Sequence, residues 1–171
     1  MADVRDFGTL DYIQAEALGQ PGQRRFRLQA LNVERSLAIL WLEKEQLGAL
    51  DEALESVLKV EGYEHRPVPP DDLVPPPVIP LNADLEIGVA QLSMGLNQGE
   101  RRVVLIATDS ADPDEEDALN LTFEFDYRKG YELRRQIREV VSAGRPACPL
   151  CTAPMDPAGH VCVRSNGHNP H

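Results

Sequence analysis

The chain has 171 residues, of which 42% are apolar, and a formal net charge of −11. Its length suits one folded domain with a small appendage, and its acidic balance disfavours nonspecific attraction to nucleic acid or to an anionic membrane. No stretch approaches the roughly 18 apolar residues of a membrane span, and the first residues lack the apolar segment of a signal peptide. We therefore expect a cytoplasmic protein with no membrane partner.

The first half of the chain, about residues 7–60, predicts three strands followed by a helix. Residues 7–19 are compatible with a strand, and residues 25–31 alternate apolar and polar side chains as a half-buried strand does. Residues 36–42 are apolar on both faces, which is typical of a central strand. In residues 44–60 apolar side chains recur at helical spacing, so this segment predicts a helix packed on the sheet.

Residues 67–80 contain seven of the 14 prolines. This content excludes a helix and favours an extended polyproline conformation. The segment is either a stiff crossover between two halves or a ligand for a proline-binding domain. We favour the crossover, because apolar residues between the prolines, such as Val68, Val74 and Val78, would let the segment pack along the body.

The second half, about residues 84–143, predicts the same order of elements. Strands are expected at residues 85–96, 101–108 and 119–126, followed by a helix that ends before Gly144-Arg145-Pro146. The stretch from Gly22 to Ala30 also matches the stretch from Gly99 to Ala107, since both begin Gly-x-Arg-Arg.

These elements predict an α+β fold for residues 1–145. Duplicated βββα units would form one pseudo-symmetric antiparallel sheet with packed helices, because neither unit can bury its apolar face alone. Residues 146–171 would form a separate small tail.

The tail contains all three cysteines and three of the four histidines. Cys148 and Cys151 form a Cys-x-x-Cys pair, and His160 and Cys162 form a second pair after a turn rich in Pro and Gly. Three thiolates and one imidazole are the ligand set of closed, structural zinc sites. We therefore predict a zinc knuckle with Cys148, Cys151, His160 and Cys162 as its ligands. His168 is the competing fourth ligand, and we favour His160 because it needs no further loop.

Three other interpretations of the tail stay open. A redox Cys-x-x-Cys pair normally begins a helix in a βαβ context, which the prolines here do not favour. A disulfide would leave one of the three cysteines unpaired. The tail can also be a segment whose cysteines have no role, although the clustering of thiols and imidazoles argues against this.

Two arginine pairs, Arg24-Arg25 and Arg101-Arg102, occupy equivalent positions at the ends of predicted hairpins. If the pseudo-twofold brought them together, their planar donor groups would clamp an anion or a phosphate. Arginines at hairpin ends are more often solvated surface residues. No phosphate-binding Gly-rich loop or nucleophile motif is evident.

Several segments together resemble an uncharacterised family of small actinobacterial-type proteins that share a domain of unknown function. They are Gly22–Ala30, Leu42–Leu47, Cys148–Cys151, Asp156–Cys162 and Asn166-Gly167. The resemblance covers the whole chain. It implies an intracellular location and a zinc-knuckle-like tail with the pattern Cys-x-x-Cys and His-x-Cys, but no reaction.

The sequence favours a noncatalytic binding or adaptor protein with structural zinc and another protein as its partner. A closed ligand set motivates this hypothesis, since catalytic zinc keeps one position open for water. The first alternative is an enzyme acting on a phosphorylated or anionic small molecule through the four arginines. The second is a nucleic-acid-binding module, because the chain from Arg128 onward has seven basic and three acidic residues.

Overall fold

The computed structural model describes residues 2–20 and 22–143, which contain seven strands and two helices. The α+β class is confirmed. The elements are β1 (Asp3–Leu18), β2 (Arg25–Asn32), β3 (Leu37–Leu42), α1 (Lys44–Val60), β4 (Leu85–Gly88), β5 (Gln91–Asn97), β6 (Arg102–Thr108), β7 (Leu119–Asp126) and α2 (Tyr127–Ser142). Neither helix is long and apolar enough to cross a membrane, as judged over these described ranges.

The strands form a single mixed sheet in the order β4-β3-β2-β1-β7-β6-β5. Strands β1, β2 and β3 are antiparallel neighbours, and so are β5, β6 and β7. Two pairs are parallel, β1 with β7 and β3 with β4. The prediction of an antiparallel sheet is therefore wrong at two junctions. Long β1 makes the central junction, because its first half pairs with β7 and its second half with β2.

The structure does not show the predicted duplication. A twofold axis would place equivalent strands side by side at the centre of the sheet, but the first strand of one half, β1, lies beside the last strand of the other, β7. The predicted strand at residues 85–96 is also divided. Its first part, β4, joins the first half through β3, and its second part, β5, pairs with β6.

The main core lies between the two helices and one face of the sheet. Helix α1 buries four leucines at the positions that its helical periodicity predicts, and each contributes about 1.5–3 kcal/mol when removed from water. These are Leu47, Leu50, Leu54 and Leu58. Phe123, Phe125 and Leu133 complete the layer from β7 and α2.

Helix α2 also protects the edge of β1 beyond the end of β7. The side-chain oxygen of Gln136 accepts a hydrogen bond from the Ala15 backbone N–H at 2.8 Å. The two helices are joined by Asp51 of α1, which pairs with Arg134 at 2.8 Å and with Arg138 at 3.2 Å. The fold thus uses one helix both as a core element and as a cover for an open strand edge.

The proline-rich strap, residues 67–81, connects the two halves. Its only regular element is a short 3₁₀ turn at Pro70–Asp72. Beyond Val78 the chain returns to the sheet, where Ile79 and Ala83 pack on a small cluster on the face opposite the helices. Asp84 then fixes the end of this connection, because its backbone N–H donates to the Leu37 carbonyl at 2.8 Å.

Candidate binding surfaces

The apolar side chains of the strap face solvent. Leu73 is 65% exposed, Val74 85% and Val78 82%. The expectation that the strap packs along the body is therefore wrong for these residues. Prolines restrict the backbone to an extended course, and this course carries the middle of the strap away from the sheet.

A cavity of about 660 Å³ lies between the strap and the body. The strap contributes Val74 to Pro77, β1 contributes Tyr12 and Ile13, and α2 contributes residues including Arg128 and Gln136. The exposed side chains and this cavity form one continuous surface that combines apolar groups with a charged rim.

Aromatic side chains hold the start of the strap against α2. The imidazole of His65 stacks on the Tyr131 ring with 3.9 Å between centroids and 12° between planes. The ring centroids of Tyr63 and Tyr131 lie 6.2 Å apart. A guanidinium nitrogen of Arg128 also donates a hydrogen bond to the Arg66 carbonyl at 3.0 Å. We call Tyr63, His65 and Tyr131 the aromatic anchor.

We expect Tyr131→Ala to release the start of the strap. Each lost aromatic contact costs about 0.5–1.5 kcal/mol beyond the buried area, so proteolysis within residues 64–80 should become several-fold faster. Limited proteolysis followed by mass spectrometry measures this. Tyr131→Phe is the matched control, because it keeps the ring. Equal cleavage rates in the two variants would show that the ring does not hold the strap.

A tight turn positions Arg24 and Arg25 at the beginning of β2. Gly19 has a φ of +98°, and a Cβ there would lie 2.9 Å from the Gln23 carbonyl oxygen, so the turn requires glycine at this position. The turn is closed by a hydrogen bond from the Gln23 N–H to the Gln20 carbonyl at 2.9 Å. The guanidinium of Arg25 then lies 3.9 Å over the Trp41 ring.

These two arginines share a pocket of about 370 Å³ with Trp41 and Lys44. Lys44 is the first residue of α1. Glu43 and Gln46 form a capping box at the N-terminal end of this helix. The buried Nε of Arg24 has no hydrogen-bond partner among the described residues. Glu43 and Glu45 also line the pocket, so its charge is mixed with a small positive excess.

Arg101 and Arg102 have other neighbours. The Arg101 guanidinium lies 5.2 Å from the Tyr127 ring centre. Arg102 pairs with Glu100 and Glu124, each at 2.7 Å, and its hydrogen bond lowers the pKa of the Glu124 carboxyl below its ordinary value. The charge of Arg102 is therefore already matched by carboxylates, and the predicted convergence of four arginines does not appear in the described part of the chain.

The basic residues of α2 are also engaged. Arg134 and Arg138 both pair with Asp51, and Arg135 pairs with Glu132 at 3.2 Å. Nucleic-acid binding depends on cationic groups that replace counterions on phosphates. Because these three arginines already contact carboxylates, they add little unmatched positive charge to such a surface.

The acidic loop between β6 and β7 is fixed by polar side chains. Buried Thr108 donates to the Asn120 side-chain oxygen at 2.7 Å, and the Asn120 amide donates to the Pro113 carbonyl at 3.0 Å. Within residues 2–20 and 22–143 no group of three or more His, Cys, Asp or Glu side chains is arranged to hold a metal ion. The loop is consistent with a solvated acidic turn.

The predicted zinc ligands Cys148, Cys151, His160 and Cys162, and the competing His168, lie outside the described residues. The zinc site therefore stays a prediction.

These features define an α+β protein with one mixed sheet, two helices on one face and an exposed proline-rich strap. The chain belongs to a family of proteins of unknown function, DUF3090, whose profile matches residues 5–162. The expected relation to an uncharacterised family is thus confirmed, and the match includes the segment with the three cysteines. Among curated proteins, no relative matches the chain.

Proposed function

We propose that this protein is a noncatalytic binding protein and that its strap is the docking site for a partner protein. The observation that carries the proposal is the exposure of Leu73, Val74 and Val78 on an extended segment that is tied to the body at both ends. Isolated exposed apolar residues are ordinary, but a contiguous exposed set indicates an interaction site.

The strap suits a partner domain with a groove lined by aromatic side chains. Such grooves bind extended proline-rich segments, whose preformed backbone loses little conformational entropy on binding. The aromatic anchor and the contacts of Ile79 and Ala83 restrict the strap further. Restriction before binding lowers the entropic cost of association. The cavity beneath Val74 and the prolines would receive a side chain of the partner.

The predicted zinc site belongs to the same proposal. Cys148, Cys151, His160 and Cys162 would hold one structural zinc ion in the reducing cytoplasm, where thiols stay available for metal. Their role would be to give a short segment, too small to bury a core of its own, a fixed structure.

Photo-crosslinking from within the strap tests the docking site. A photoreactive residue replaces Val74 in the full chain, and in a matched control it replaces Val60, which is 81% exposed at the end of α1. We expect the probe at position 74 to capture one specific protein in cells and the probe at position 60 to capture none. The triple variant Leu73→Ser, Val74→Ser, Val78→Ser should lose that partner.

The melting temperature of the triple variant should stay within a degree or two of the wild-type value, because exposed substitutions change stability by about 0.5 kcal/mol or less. Capture of the same protein from both probe positions, or partner binding that survives in the triple variant, would contradict the proposal.

The pocket beside Arg24 motivates a second candidate, an enzyme that acts on a small phosphorylated or anionic molecule. Arg24, Arg25 and Lys44 bring three cationic groups to one cavity beside Trp41, and Arg presents a donor fork that matches phosphate oxygens. The two glutamates in the pocket weaken its attraction for anions. Titration calorimetry with inorganic pyrophosphate tests this second candidate, which requires the anion to bind. The docking proposal does not depend on such binding.

A further inference from the structure

The two edges of the sheet differ in how they are protected. Strand β4 forms one edge with four residues, includes the charged Glu86 and follows Pro80 closely. Short length, charge and nearby proline are the usual means by which proteins prevent pairing at a sheet edge. Strand β5 forms the other edge with seven residues and contains neither charge nor proline. No strand of the described residues pairs with its outer side.

An apolar groove accompanies the β5 edge. A cavity of about 400 Å³ lies between α1 and β5, lined by residues such as Ala49, Ala53, Leu92 and Met94. Leu92, Met94 and Leu96 pack against the core but are only partly buried. The strand thus presents unpaired backbone groups and incompletely covered apolar side chains side by side.

The sequence of β5 is nearly symmetric about Met94, because Leu92 and Leu96 are identical and Gln91 and Asn97 both carry amides. An antiparallel copy centred there would place Met94 opposite Met94, Leu92 opposite Leu96, and Ser93 opposite Gly95. Gln91 would meet Asn97, so that amide faces amide. Opposed side chains lie on the same sheet face, and the leucines and methionines would therefore close the groove beside α1 in both copies.

We propose that β5 pairs with β5 of a second copy of this chain, forming a twofold dimer with one continuous sheet. A twofold interface uses the same patch on both subunits and must be self-complementary, which the symmetry about Met94 provides. The net charge of −11 opposes the approach of two copies. Strand β5 contains no charged residue, however, so no like charges would meet across the paired strands. The dimer would present two straps, making the binding protein bivalent.

Charge substitution at the symmetry centre tests the dimer with the full chain. Light scattering coupled to gel filtration should give twice the 19.0 kDa chain mass for the wild type and a single chain mass for Met94→Lys and for Met94→Glu. Like charges directly opposite each other destabilise a strand pair. Mixing the two variants should restore the doubled mass, because lysine then faces glutamate.

Circular dichroism establishes that each variant is folded, and recovery of the dimer on mixing does so independently. A wild-type chain that is monomeric at high concentration would overturn the proposal, whether the edge is covered by residues 144–171 or by a different protein. A dimer that persists in both Met94 variants would also overturn it, because the interface would then lie elsewhere. Failure of the mixed variants to pair would exclude a twofold centred on Met94.

Discussion

Asn32→Ala should destabilise the fold by about 2–4 kcal/mol, because it leaves backbone groups without partners at the junction of three strands. Asn32 is only 6% exposed. Its amide nitrogen donates to the Phe7 carbonyl at 3.0 Å, and its side-chain oxygen accepts from the N–H groups of Glu34 at 3.0 Å and Ser36 at 2.8 Å. One side chain therefore closes the β2–β3 turn and fixes β1 beside it.

Graded variants separate these roles. Asn32→Asp keeps the acceptor for Glu34 and Ser36 but turns a charged oxygen toward the Phe7 carbonyl. It should therefore be destabilising at neutral pH and recover part of the lost stability in acid, where a protonated carboxyl can donate again. Val33→Ala is the local control, because Val33 is exposed. Thermal unfolding measures the series, and 1 kcal/mol corresponds to about 2–4 °C at this chain length. An unchanged melting temperature in Asn32→Ala would show that water replaces all three hydrogen bonds.

The elements of the fold were largely predictable because their signals are local. The apolar spacing from Lys44 onward predicted α1 with its observed bounds. Alternation in residues 101–108 and 119–126 predicted β6 and β7 in the same way. These patterns depend on which face of each element is buried, and the main core buries the expected face of α1, β6 and β7.

The arrangement of the strands was not predictable from the same patterns. The break between β4 and β5 is set by pairing with two different strands. Gly88 is a local sign of a bend, but it does not indicate which strand each part pairs with. Both arginine pairs lie at hairpin ends, as predicted, but the similarity of Gly22–Ala30 to Gly99–Ala107 does not extend to the partners of each arginine. Arg102 meets Glu124 because β6 and β7 are neighbours, and Arg25 meets Trp41 across β2 and β3.

The candidate surfaces depend still more on long-range contacts. Val74 and Val78 flank three consecutive prolines. Their sequence gave no sign that they would face solvent, because an extended proline-rich segment is compatible with packing as well as with exposure. His65 lies 66 positions before Tyr131, and its stacking there follows only from the docking of α2. One signal was available: Tyr127 and Tyr131 are four residues apart and so lie on one helix face, which predicts an aromatic contact for whatever packs beside it.

Removal of the predicted zinc ligands should abolish metal binding altogether. We expect the purified full chain to carry one zinc ion, detected by native mass spectrometry, and Cys148→Ser and Cys162→Ser to carry none. Three thiolates and one imidazole leave no open position on the ion, so the loss of one thiolate removes a ligand that water replaces poorly. For comparable zinc-finger peptides the apparent binding free energy is about 10–16 kcal/mol, which makes this the largest effect expected in the protein.

The identity of the fourth ligand and the pH dependence follow from the same chemistry. His160→Ala should lose zinc, whereas His168→Ala should keep it, and Ser165→Ala serves as a neutral control within the tail. Thiols must lose their protons to bind the ion, so the affinity should fall as the pH is lowered. Zinc retained in His160→Ala and lost in His168→Ala would assign the alternative ligand. A metal-free wild-type chain, or one lighter by two hydrogens because two cysteines are joined, would instead identify a tail without a metal site.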